Sequence, residues 1–411
     1  MEYKKLGHIA KIQTGPFGSQ LHQSDYKPTG IPCIMPCNIG SNLNIICDNI
    51  AYISEEDLNR LAKHKTQEGD IVYSRRGDIE KCAYISSRES GWLCGTGCLK
   101  VSIDSTIALP KYVAYLLSTP ESKAWLVGNA VGTTMLNLNT TVLSDFPICL
   151  PDLDTQQKVV EIIDSIADKI ELNKRINDNL EQQAQALYRS WFVDFEPFCE
   201  GEFIESSLGS IPAGWKVGQL SDICEIVGGG TPSKSHPEYY CKRGIAWITP
   251  KDLSVSKSKF SSRGSEDITS DGYKNSSAKL MPRGTVLFSS RAPIGYISIA
   301  TNEICTNQGF KSAVPGIAGT GYLYYFLQAN TDKIESKASG STFKEASGSL
   351  MKALEVIIPA DGIFNQFEAE LAPILTKQEN IASEIHTLTT LRDTLLPKLM
   401  SGELKINEID C

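Results

Sequence analysis

The chain has 411 residues, more than a single ordinary hydrophobic core accommodates, so two or three domains are expected. Its composition, 41% hydrophobic and 21% charged, is typical of a soluble globular protein. No apolar run approaches the ~18 residues that span a bilayer. The first residues, MEYKKLGHIAKIQTG, lack the apolar region of a signal peptide, which predicts a cytoplasmic protein with no membrane partner.

Residues 1–151 form the first predicted element, a globular domain of short strand-like runs interrupted by glycine. Its cysteine pairs Cys33/Cys37 and Cys94/Cys98 each enclose three residues, whereas zinc sites more often use CxxC spacing. Without an export signal a reducing compartment is expected. We therefore predict small buried side chains at these cysteines rather than disulfides or a metal site.

Residues 152–205 form a predicted central helical spacer and connector. After Pro151 the glycine-punctuated pattern stops, and a heptad seam continues over more than four heptads. The seam residues are Val159, Ile163, Ile166, Ile170, Asn173, Asn177, Leu180, Ala184, Leu187 and Trp191. The two asparagines are either buried residues that fix the helix register or half-buried residues near a partner's surface.

Residues 206–360 repeat the first domain. Four segments match in the same order, at offsets between 208 and 215 residues. The matched pairs are KKLGHIAKIQTG (4–15) with GQLSDICEIVGG (218–229), GIPCIMP (30–36) with GIAWITP (244–250), GDIVYSRRGDI (69–79) with GTVLFSSRAPI (284–294), and FPICLP (146–151) with LEVIIP (354–359). The slow drift of the offset indicates a duplicated unit with loop insertions.

Residues 361–411 form a predicted C-terminal helical spacer with a second seam. Its residues are Leu371, Ile374, Gln378, Ile381, Ile385, Leu388, Arg392, Leu395 and Leu399. Pro373 either lies in the first turns of this helix or kinks it. The predicted fold class is α/β (α+β), with two duplicated globular domains separated by two long antiparallel coiled-coil helices.

The net charge of −8 argues at first against a nucleic-acid partner, but the charge is unevenly distributed. Basic and acidic side chains number 5 and 13 over residues 151–205, and 4 and 9 over residues 361–411. They number 14 and 14 over residues 1–150, and 17 and 12 over residues 206–360. The acidic side chains are therefore concentrated in the two helical segments, and this asymmetry says more than the total charge about what each segment contacts.

Familiar catalytic motifs are missing from the sequence. GGGTPSK (228–234) lacks the spacing of a phosphate-binding loop, the five histidines form no HExxH pattern, and no serine stands in a GxSxG elbow. There is no Asn-Pro-Pro-aromatic tetrad, and no acidic-x-Lys motif follows Pro151-Asp152 closely. We predict a chain that is not an enzyme and has no catalytic residue, with a triad assembled only in space as the alternative.

The likeness of the chain to a known family rests on seven segments. They are SWFVDFEPF (190–198), IPAGWKVGQLSDI (211–223), TPSKSHPEYYCKRGIAWITPKDLS (231–254), LFSSRAPIGYISIA (287–300), TNQGFKSAVP (306–315), GSTFKE (340–345) and RDTLLPKLMSGEL (392–404). Together they resemble the specificity subunit of type I restriction-modification enzymes, over nearly the whole chain. The first domain departs most, with SRRGDIEKC (74–82) where the second has SSRAPIGYI.

The resemblance implies that each domain is a target recognition domain that reads a few base pairs of double-stranded DNA. Together the domains would read a bipartite, asymmetric site with an unread gap. The helices would set the gap and dock two methyltransferase subunits, and restriction and translocation subunits would join through that core. S-adenosylmethionine, ATP and magnesium would belong to those partners, so the resemblance implies no cofactor for this chain.

DNA-contacting residues are expected in polar loops, because sequence is read through donors and acceptors at base edges. The candidates in the first domain are Ser19, Gln20, His22, Arg75, Arg76, Thr133 and Thr134. The candidates in the second domain are Ser233, Lys234, Ser235, His236, Lys257, Lys259, Arg263, Arg291, Ser341, Thr342 and Lys344.

The segment VLFSSR (286–291) is predicted to be a buried strand that turns into a loop, with Pro293-Ile294-Gly295 making the turn. Asn307-Gln308-Gly309 is expected to shape a neighbouring turn, so most of this motif is predicted to be scaffold. Arg291 either contacts a phosphate or forms an internal ion pair.

Two other functions compete with DNA recognition. The chain could be a coiled-coil adaptor whose domains bind proteins, and binding that ignores salt would favour that function because phosphate-dominated binding weakens steeply with salt. It could instead be a DNA-acting enzyme with an unrecognised site, and turnover by the purified chain would favour that one.

Overall fold

The computed structural model describes residues 3–132, 136–340 and 344–404. It divides into two compact units, one formed by residues 1–170 with 387–411 and the other by residues 171–386. Each unit therefore joins one globular domain to parts of both long helices.

The first domain mixes short strands and helices. Its strands are β1 (Lys4–Lys5), β2 (Ala10–Thr14), β3 (Ile31–Ile34), β4 (Ala51–Ile53), β5 (Ile71–Ser74), β6 (Cys82–Tyr84), β7 (Leu93–Cys94), β8 (Cys98–Ile103) and β9 (Pro147–Ile148). Its helices are α1 (Glu55–Arg60), α2 (Pro110–Leu117), α3 (Pro120–Asn129) and α4 (Thr140–Ser144). The main sheet has the order β2-β8-β5-β6, a second sheet has the order β4-β3-β7, and β1 pairs with β9.

The core of this domain lies between the main sheet and α2. β5 is buried along its whole length, as expected for a central strand of β-branched and aromatic residues. Its Tyr73 is fully buried, and the phenolic hydroxyl donates a 3.1 Å hydrogen bond to the carbonyl of Leu117 at the end of α2. Because buried polar groups need partners, this bond sets where α2 packs on the sheet.

The predicted first long helix is α5 (Leu153–Phe192), with 40 residues. Asp152 stabilises its beginning by accepting a 2.8 Å hydrogen bond from the backbone N–H of Thr155. None of the ten predicted seam residues is exposed, so the heptad prediction is confirmed. Asn173 is buried, whereas Asn177 is only half-buried, so the two asparagines differ in their burial.

The second domain repeats the first with insertions. Its strands are β10 (Phe203–Ser206), β11 (Gly209–Pro212), β12 (Lys216–Gln219), β13 (Cys224–Gly228), β14 (Tyr240–Cys241), β15 (Trp247–Ile248), β16 (Phe260–Ser261), β17 (Asp267–Ile268), β18 (Val286–Ser290), β19 (Ile294–Ala300), β20 (Cys305–Thr306), β21 (Lys311–Pro315) and β22 (Glu355–Ile358). Its helices are α6 (Pro250–Ser256), α7 (Ser270–Lys274), α8 (Thr320–Ala329), α9 (Thr331–Lys337) and α10 (Gly348–Lys352).

The sheet topology shows the duplication strand by strand. The five-stranded sheet β13-β21-β18-β19-β16 repeats the order β2-β8-β5-β6 and adds one strand. The parallel pair β15-β20 repeats β3-β7, and the antiparallel pair β12-β22 repeats β1-β9. The predicted internal repeat is therefore a repeat of topology as well as of sequence.

The second long helix is α11 (Ile363–Ser401). It begins well before the predicted seam, so Pro373 is its eleventh residue and does not lie in its first turns. None of its nine seam residues is exposed, in agreement with the prediction. No helix in the described part of the chain is long and apolar enough to cross a membrane.

The two long helices pack together within each unit. In the first unit, Val159 and Ile163 from the beginning of α5 share a cluster with Leu396 and Leu399 from the end of α11. In the second unit, Phe192 at the end of α5 stacks edge-on against Phe367 near the beginning of α11, with ring centroids 4.9 Å apart. The pairing is antiparallel, as predicted.

Candidate nucleic-acid interface

The main sheet of each domain brings several loops to one of its edges. In the first domain β2 and β5 are both antiparallel to β8, so their carboxyl ends meet at the edge where β8 begins. β13 and β18 have the same relation to β21 in the second domain. Three loops of each domain lie at this edge, which we call the three-loop edge. They are the loop after β2 or β13, the loop after β5 or β18, and a loop near the end of the domain that contains Asn137 or Glu345.

Glycines let two of these loops approach the neighbouring chain closely. A Cβ atom on Gly15 would lie 2.0 Å from the carbonyl oxygen of Gly95, and one on Gly229 would lie 2.0 Å from the carbonyl oxygen of Asn307. No larger residue fits at either position without moving backbone. The loops after β2 and β13 are thus fixed at their first residue, in the same way in both domains.

In the first domain the loops meet around Arg75. Its backbone N–H donates to the carbonyl of Gly97 at 2.8 Å, and its own carbonyl accepts from Leu138 at 2.9 Å. Its Nε donates to Oδ1 of Asn137 at 3.3 Å, and its guanidinium lies 5.6 Å from the ring centroid of Phe17. Arg75 therefore connects the loop after β2, the loop after β5 and the loop that ends at Asn137.

In the second domain the same edge is organised around Glu345. Its carboxylate lies 3.6 Å from a guanidinium nitrogen of Arg291 and 3.3 Å from Nζ of Lys311. The backbone N–H of Ala346 donates to the carbonyl of Ser290 at 2.9 Å. Of the two alternatives for Arg291, the structure contains the internal ion pair, although its side chain is still 37% exposed.

The serines of VLFSSR are scaffold, as predicted. Ser289 and Ser290 are fully buried, and their hydroxyls donate to the carbonyls of Pro293 at 2.8 Å and Gly309 at 3.1 Å. The turn lies one or two residues earlier than predicted, because Ile294 already begins β19. The neighbouring turn after β20 is closed by a 2.8 Å hydrogen bond from the N–H of Gly309 to Oδ1 of Asn307.

Most predicted contact residues are placed at or next to the three-loop edges. In the first domain these are Ser19, Gln20, His22, Arg75 and Arg76, of which Ser19, His22 and Arg76 are exposed. In the second domain the exposed ones are Ser233, Lys234, Ser235, His236 and Lys344. Thr133, Thr134, Ser341 and Thr342 lie outside the described residues.

The segment from Lys257 to Arg263 is away from the three-loop edge. β16 pairs with the end of β19 at Ile299 and Ala300, whereas the turn at Arg291 lies at the beginning of β19. Lys257 is exposed after α6, and Arg263 forms a 2.8 Å ion pair with Asp267, which is almost fully buried.

Lys259 departs from the prediction of a solvent-facing DNA contact. Its side chain is only 10% exposed, and Nζ lies 2.6 Å from Oε2 of Glu181 on α5 and 2.8 Å from Oε1 of Gln378 on α11. Nζ also donates to the hydroxyl of Tyr325 on α8. The amine anchors the domain to both helices within this unit, so we leave Lys259 out of the interface.

Burial and the ion pair have opposite effects on the pKa values in this cluster. Burial raises the pKa of Glu181, but Lys259 together with the hydrogen bonds from Gln378 and Gln185 lowers it by more, so the pKa lies below the usual value of a glutamate. Burial lowers the pKa of Lys259, against the opposing effect of Glu181. Two aromatic rings, of Tyr324 and Tyr325, each lie 4.6 Å from Nζ and further favour a cation there.

Three of the four cysteines predicted to be small buried side chains are packing residues, whereas the prediction is wrong for Cys37, which is exposed. Cys33, Cys94 and Cys98 are buried, and burial raises the pKa of Cys33 and of Cys94 to about 12. Thiols with such pKa values stay protonated and behave as small apolar side chains. The cysteines within the described residues are free, and no group of three His, Cys, Asp or Glu side chains among these residues could hold a metal ion.

Comparison with known proteins identifies this architecture. A sequence model of the type I restriction modification DNA specificity domain matches residues 1–182 and again residues 212–397. The chain belongs to this family. It is the DNA-recognition component of a restriction-modification system and not a catalytic one, and its two matched segments cover the first repeated domain and all but the first six residues of the second.

Named relatives and a solved structure agree with the family. The HindI specificity subunit of Haemophilus influenzae is 26% identical over 437 aligned positions, which cover 91% of this chain and 95% of that protein. The MjaIX specificity subunit of Methanocaldococcus jannaschii is 42% identical over 165 positions, 39% of this chain and 38% of its own length. The crystal structure of an S subunit from M. genitalium has a TM-score of 0.63 and 14% identity, and covers 97% of this chain and 95% of that one.

One residue at the edge of this specificity subunit was missed by sequence reasoning. Phe17 is 52% exposed, directly at the cluster around Arg75. A large apolar residue between glycines, in GPFG (15–18), was a usable signal, because such a loop has no core to enter. The contact between Phe17 and Arg75 could not be predicted from the sequence, because the two residues lie in different loops, one after β2 and the other after β5.

Proposed function

We propose that this specificity subunit reads a bipartite, asymmetric site in double-stranded DNA, with residues 1–151 recognising one half-site and residues 206–360 the other. The three-loop edge supports this proposal, because one chain presents it twice on matching sheets with different side chains. Two unlike surfaces of the same construction suit two unlike half-sites, since base pairs are distinguished by their donor and acceptor patterns.

The side chains proposed to contact DNA are the exposed or half-exposed candidates at these edges, together with Lys257 and Arg263, which lie away from them. They are Ser19, Gln20, His22, Arg75 and Arg76 in the first domain, and Ser233, Lys234, Ser235, His236, Lys257, Arg263, Arg291 and Lys344 in the second. Thr133, Thr134, Ser341 and Thr342 belong to the proposal from the sequence alone.

We assign residues 152–205 and 361–411 to protein partners, namely two methyltransferase subunits, with restriction and translocation subunits joining through them. Both segments are acidic, which disfavours contact with phosphates. Leu172 and Ile176 lie one turn apart on α5 and are 49% and 37% exposed, which leaves an apolar face on the helix. Such a complex would act on chromosomal DNA in the cytoplasm.

Long-read methylation mapping of a host that carries the partner subunits tests this function. Deleting the gene for this chain should abolish adenine methylation at one bipartite motif, and the motif would give both half-sites and the gap. Unchanged methylation would contradict the proposal and favour the adaptor function.

Variants resolve the two domains in the same assay. Arg76→Ala should relax recognition of one half-site, and Lys234→Ala should affect only the other, because each residue lies in a different domain. Lys5→Ala is the matched control, since its exposed amine pairs with Asp145 and lies outside the three-loop edge and outside the helical segments assigned to protein partners. A change of both half-sites by either domain variant would contradict the assignment of one half-site per domain.

A further inference from the structure

We infer that Phe17 and Arg75 together form the base-reading element of the first domain, with the ring against a thymine methyl group and the guanidinium at a neighbouring guanine in the major groove. This inference rests on the proposed function and deepens it. The ring of Phe17 is 52% exposed, and its proposed contact can be tested by replacing single atoms of the DNA.

A hydrogen-bonded turn holds the side chain of Phe17 at the surface. The backbone N–H groups of Gln20 and Leu21 donate to the carbonyl of Phe17 at 2.8 and 3.2 Å, and the N–H of Phe17 donates to Oε1 of Gln20 at 3.3 Å. Leu21, at the end of the turn, is buried and fixes it to the domain. Folding alone gives no reason for a half-exposed ring, since burying it would stabilise the chain.

Arg75 is equally well oriented. Its backbone is bonded on both sides to neighbouring loops, and Asn137 holds Nε at 3.3 Å. Among the described residues Arg75 forms no ion pair with a carboxylate. The terminal nitrogens of an arginine held through Nε suit the two acceptors of guanine, O6 and N7.

The second domain shows that this arrangement is not required by the fold. In the duplicated alignment Arg75 corresponds to Ser290, which is fully buried, and Arg76 corresponds to Arg291. Asn137 corresponds to Glu345, because the isolated bridge Arg76–Asn137 repeats the bridge Arg291–Glu345. The carboxylate that neutralises Arg291 is thus an amide in the first domain.

The first domain therefore has Arg75, beside the ring of Phe17, where the second domain has the buried Ser290. It has Asn137 where the second domain has Glu345, the partner of Arg291 in an ion pair. An apolar ring beside a guanidinium matches the major-groove edge of a step that contains a thymine and a guanine, because the C5-methyl group is the apolar feature of that groove. The two domains would read different bases from equivalent positions.

Atomic substitution in the DNA tests this inference. Binding of the subunit with its methyltransferase partner is measured on duplexes of the mapped motif, in which each thymine in turn is replaced by deoxyuridine and each guanine by 7-deazaguanine. We expect one deoxyuridine position in one half-site to weaken wild-type binding about fourfold, the value of one buried methyl group. Phe17→Ala should bind both duplexes equally at that position.

Arg75 has its own readout in the same series. A neighbouring 7-deazaguanine should weaken wild-type binding and leave Arg75→Ala unaffected, while Arg75→Lys, which still has a donor for guanine, should keep part of the sensitivity to N7. Phe17→Tyr should behave as wild type because it keeps the ring. Ile107→Ala is the matched control, since this exposed apolar residue follows β8 at the opposite end of the sheet.

The outcomes separate this inference from the proposed function. If Phe17→Ala and Arg75→Ala show the wild-type profile of sensitivity on every modified duplex, the inference is overturned while sequence-specific binding stands. If the wild-type complex prefers no sequence on unmodified duplexes, the proposed function fails and this inference fails with it.

Discussion

Buried polar side chains in the first unit usually have partners, and His64 is an exception. It is 3% exposed, and its Nε2 is a buried atom without a hydrogen-bond partner among the described residues. Burial lowers the pKa of His64, and the positive charges of Lys63 and Lys100 lower it further. The folded state therefore holds the neutral imidazole, and protonation favours unfolding.

The lowered pKa of His64 determines how its contribution to stability depends on pH. Because the pKa in the folded state lies below the unfolded value of 6.5, the stabilisation is present above pH 6.5 and is lost as the pH falls through the folded pKa. His64→Gln should flatten this acid-side loss in denaturation curves measured between pH 7.5 and 5. His8→Gln, at an exposed histidine of the same unit, is the control, and an equal effect of both changes would contradict the prediction.

At the scale of elements, the sequence predicted which segments pack but not which side chains join them. The heptad seams of α5 and α11 could be recognised because their period repeats many times. The beginning of α11 at Ile363 agrees with the spacer predicted from residue 361, but the seam listed from Leu371 omits Phe364 and Phe367, which are buried in the first turns. The role of Lys259 was also hidden, because its partners lie 78 and 119 residues away in sequence.

The Lys259 cluster should contribute strongly to the stability of the second unit. Lys259→Met leaves Glu181 partly buried without its cation, and we expect a loss of about 3 kcal/mol, typical of breaking a buried ion pair. Hydrogen exchange of peptides from residues 171–386 measures this unit separately.

A surface ion pair of the same unit provides the control. Arg283 lies 2.6 Å from Glu379, but its side chain is 61% exposed, so Arg283→Ala should cost no more than about 1 kcal/mol. Adding Glu181→Leu to Lys259→Met should recover part of the loss, because the buried charge is then removed. Equal effects of Lys259→Met and Arg283→Ala would show that the cluster is not a buried one in solution.

At the scale of the whole molecule, the distribution of basic and acidic side chains follows the proposed role of each segment. The domain that spans residues 206–360 has 17 basic and 12 acidic side chains, while the helical segments are acidic. Lys234→Gln and Lys344→Gln each replace an exposed lysine of the second domain. Each should reduce the magnitude of the slope of log K against log salt concentration by about 0.9, the value of one phosphate contact. Titrations of the complex on its duplex at several salt concentrations measure this slope, and Lys5→Gln, at an exposed lysine outside the three-loop edge, should leave it unchanged.

The site was less accessible to sequence reasoning than the fold. The duplication could be recognised from four matched segments, and the topology follows it closely. Candidate polar loops could be named because turn residues mark them, and several meet at one edge since β2 and β5 run in the same direction on either side of β8. The distinction between Arg75 and Lys259 could not be made, because a solvent-facing arginine and an interior lysine look alike in a polar loop sequence.

The division into units also has a consequence for synthesis on the ribosome. The first unit contains residues 1–170 together with the end of α11, which covers Val159 and Ile163 with Leu396 and Leu399. A nascent chain cannot complete this unit until Leu399 has been translated, whereas the second unit lies entirely within residues 171–386. The domain made first is therefore finished last, and a chain that stops before residue 387 would expose the apolar beginning of α5 to chaperones and proteases.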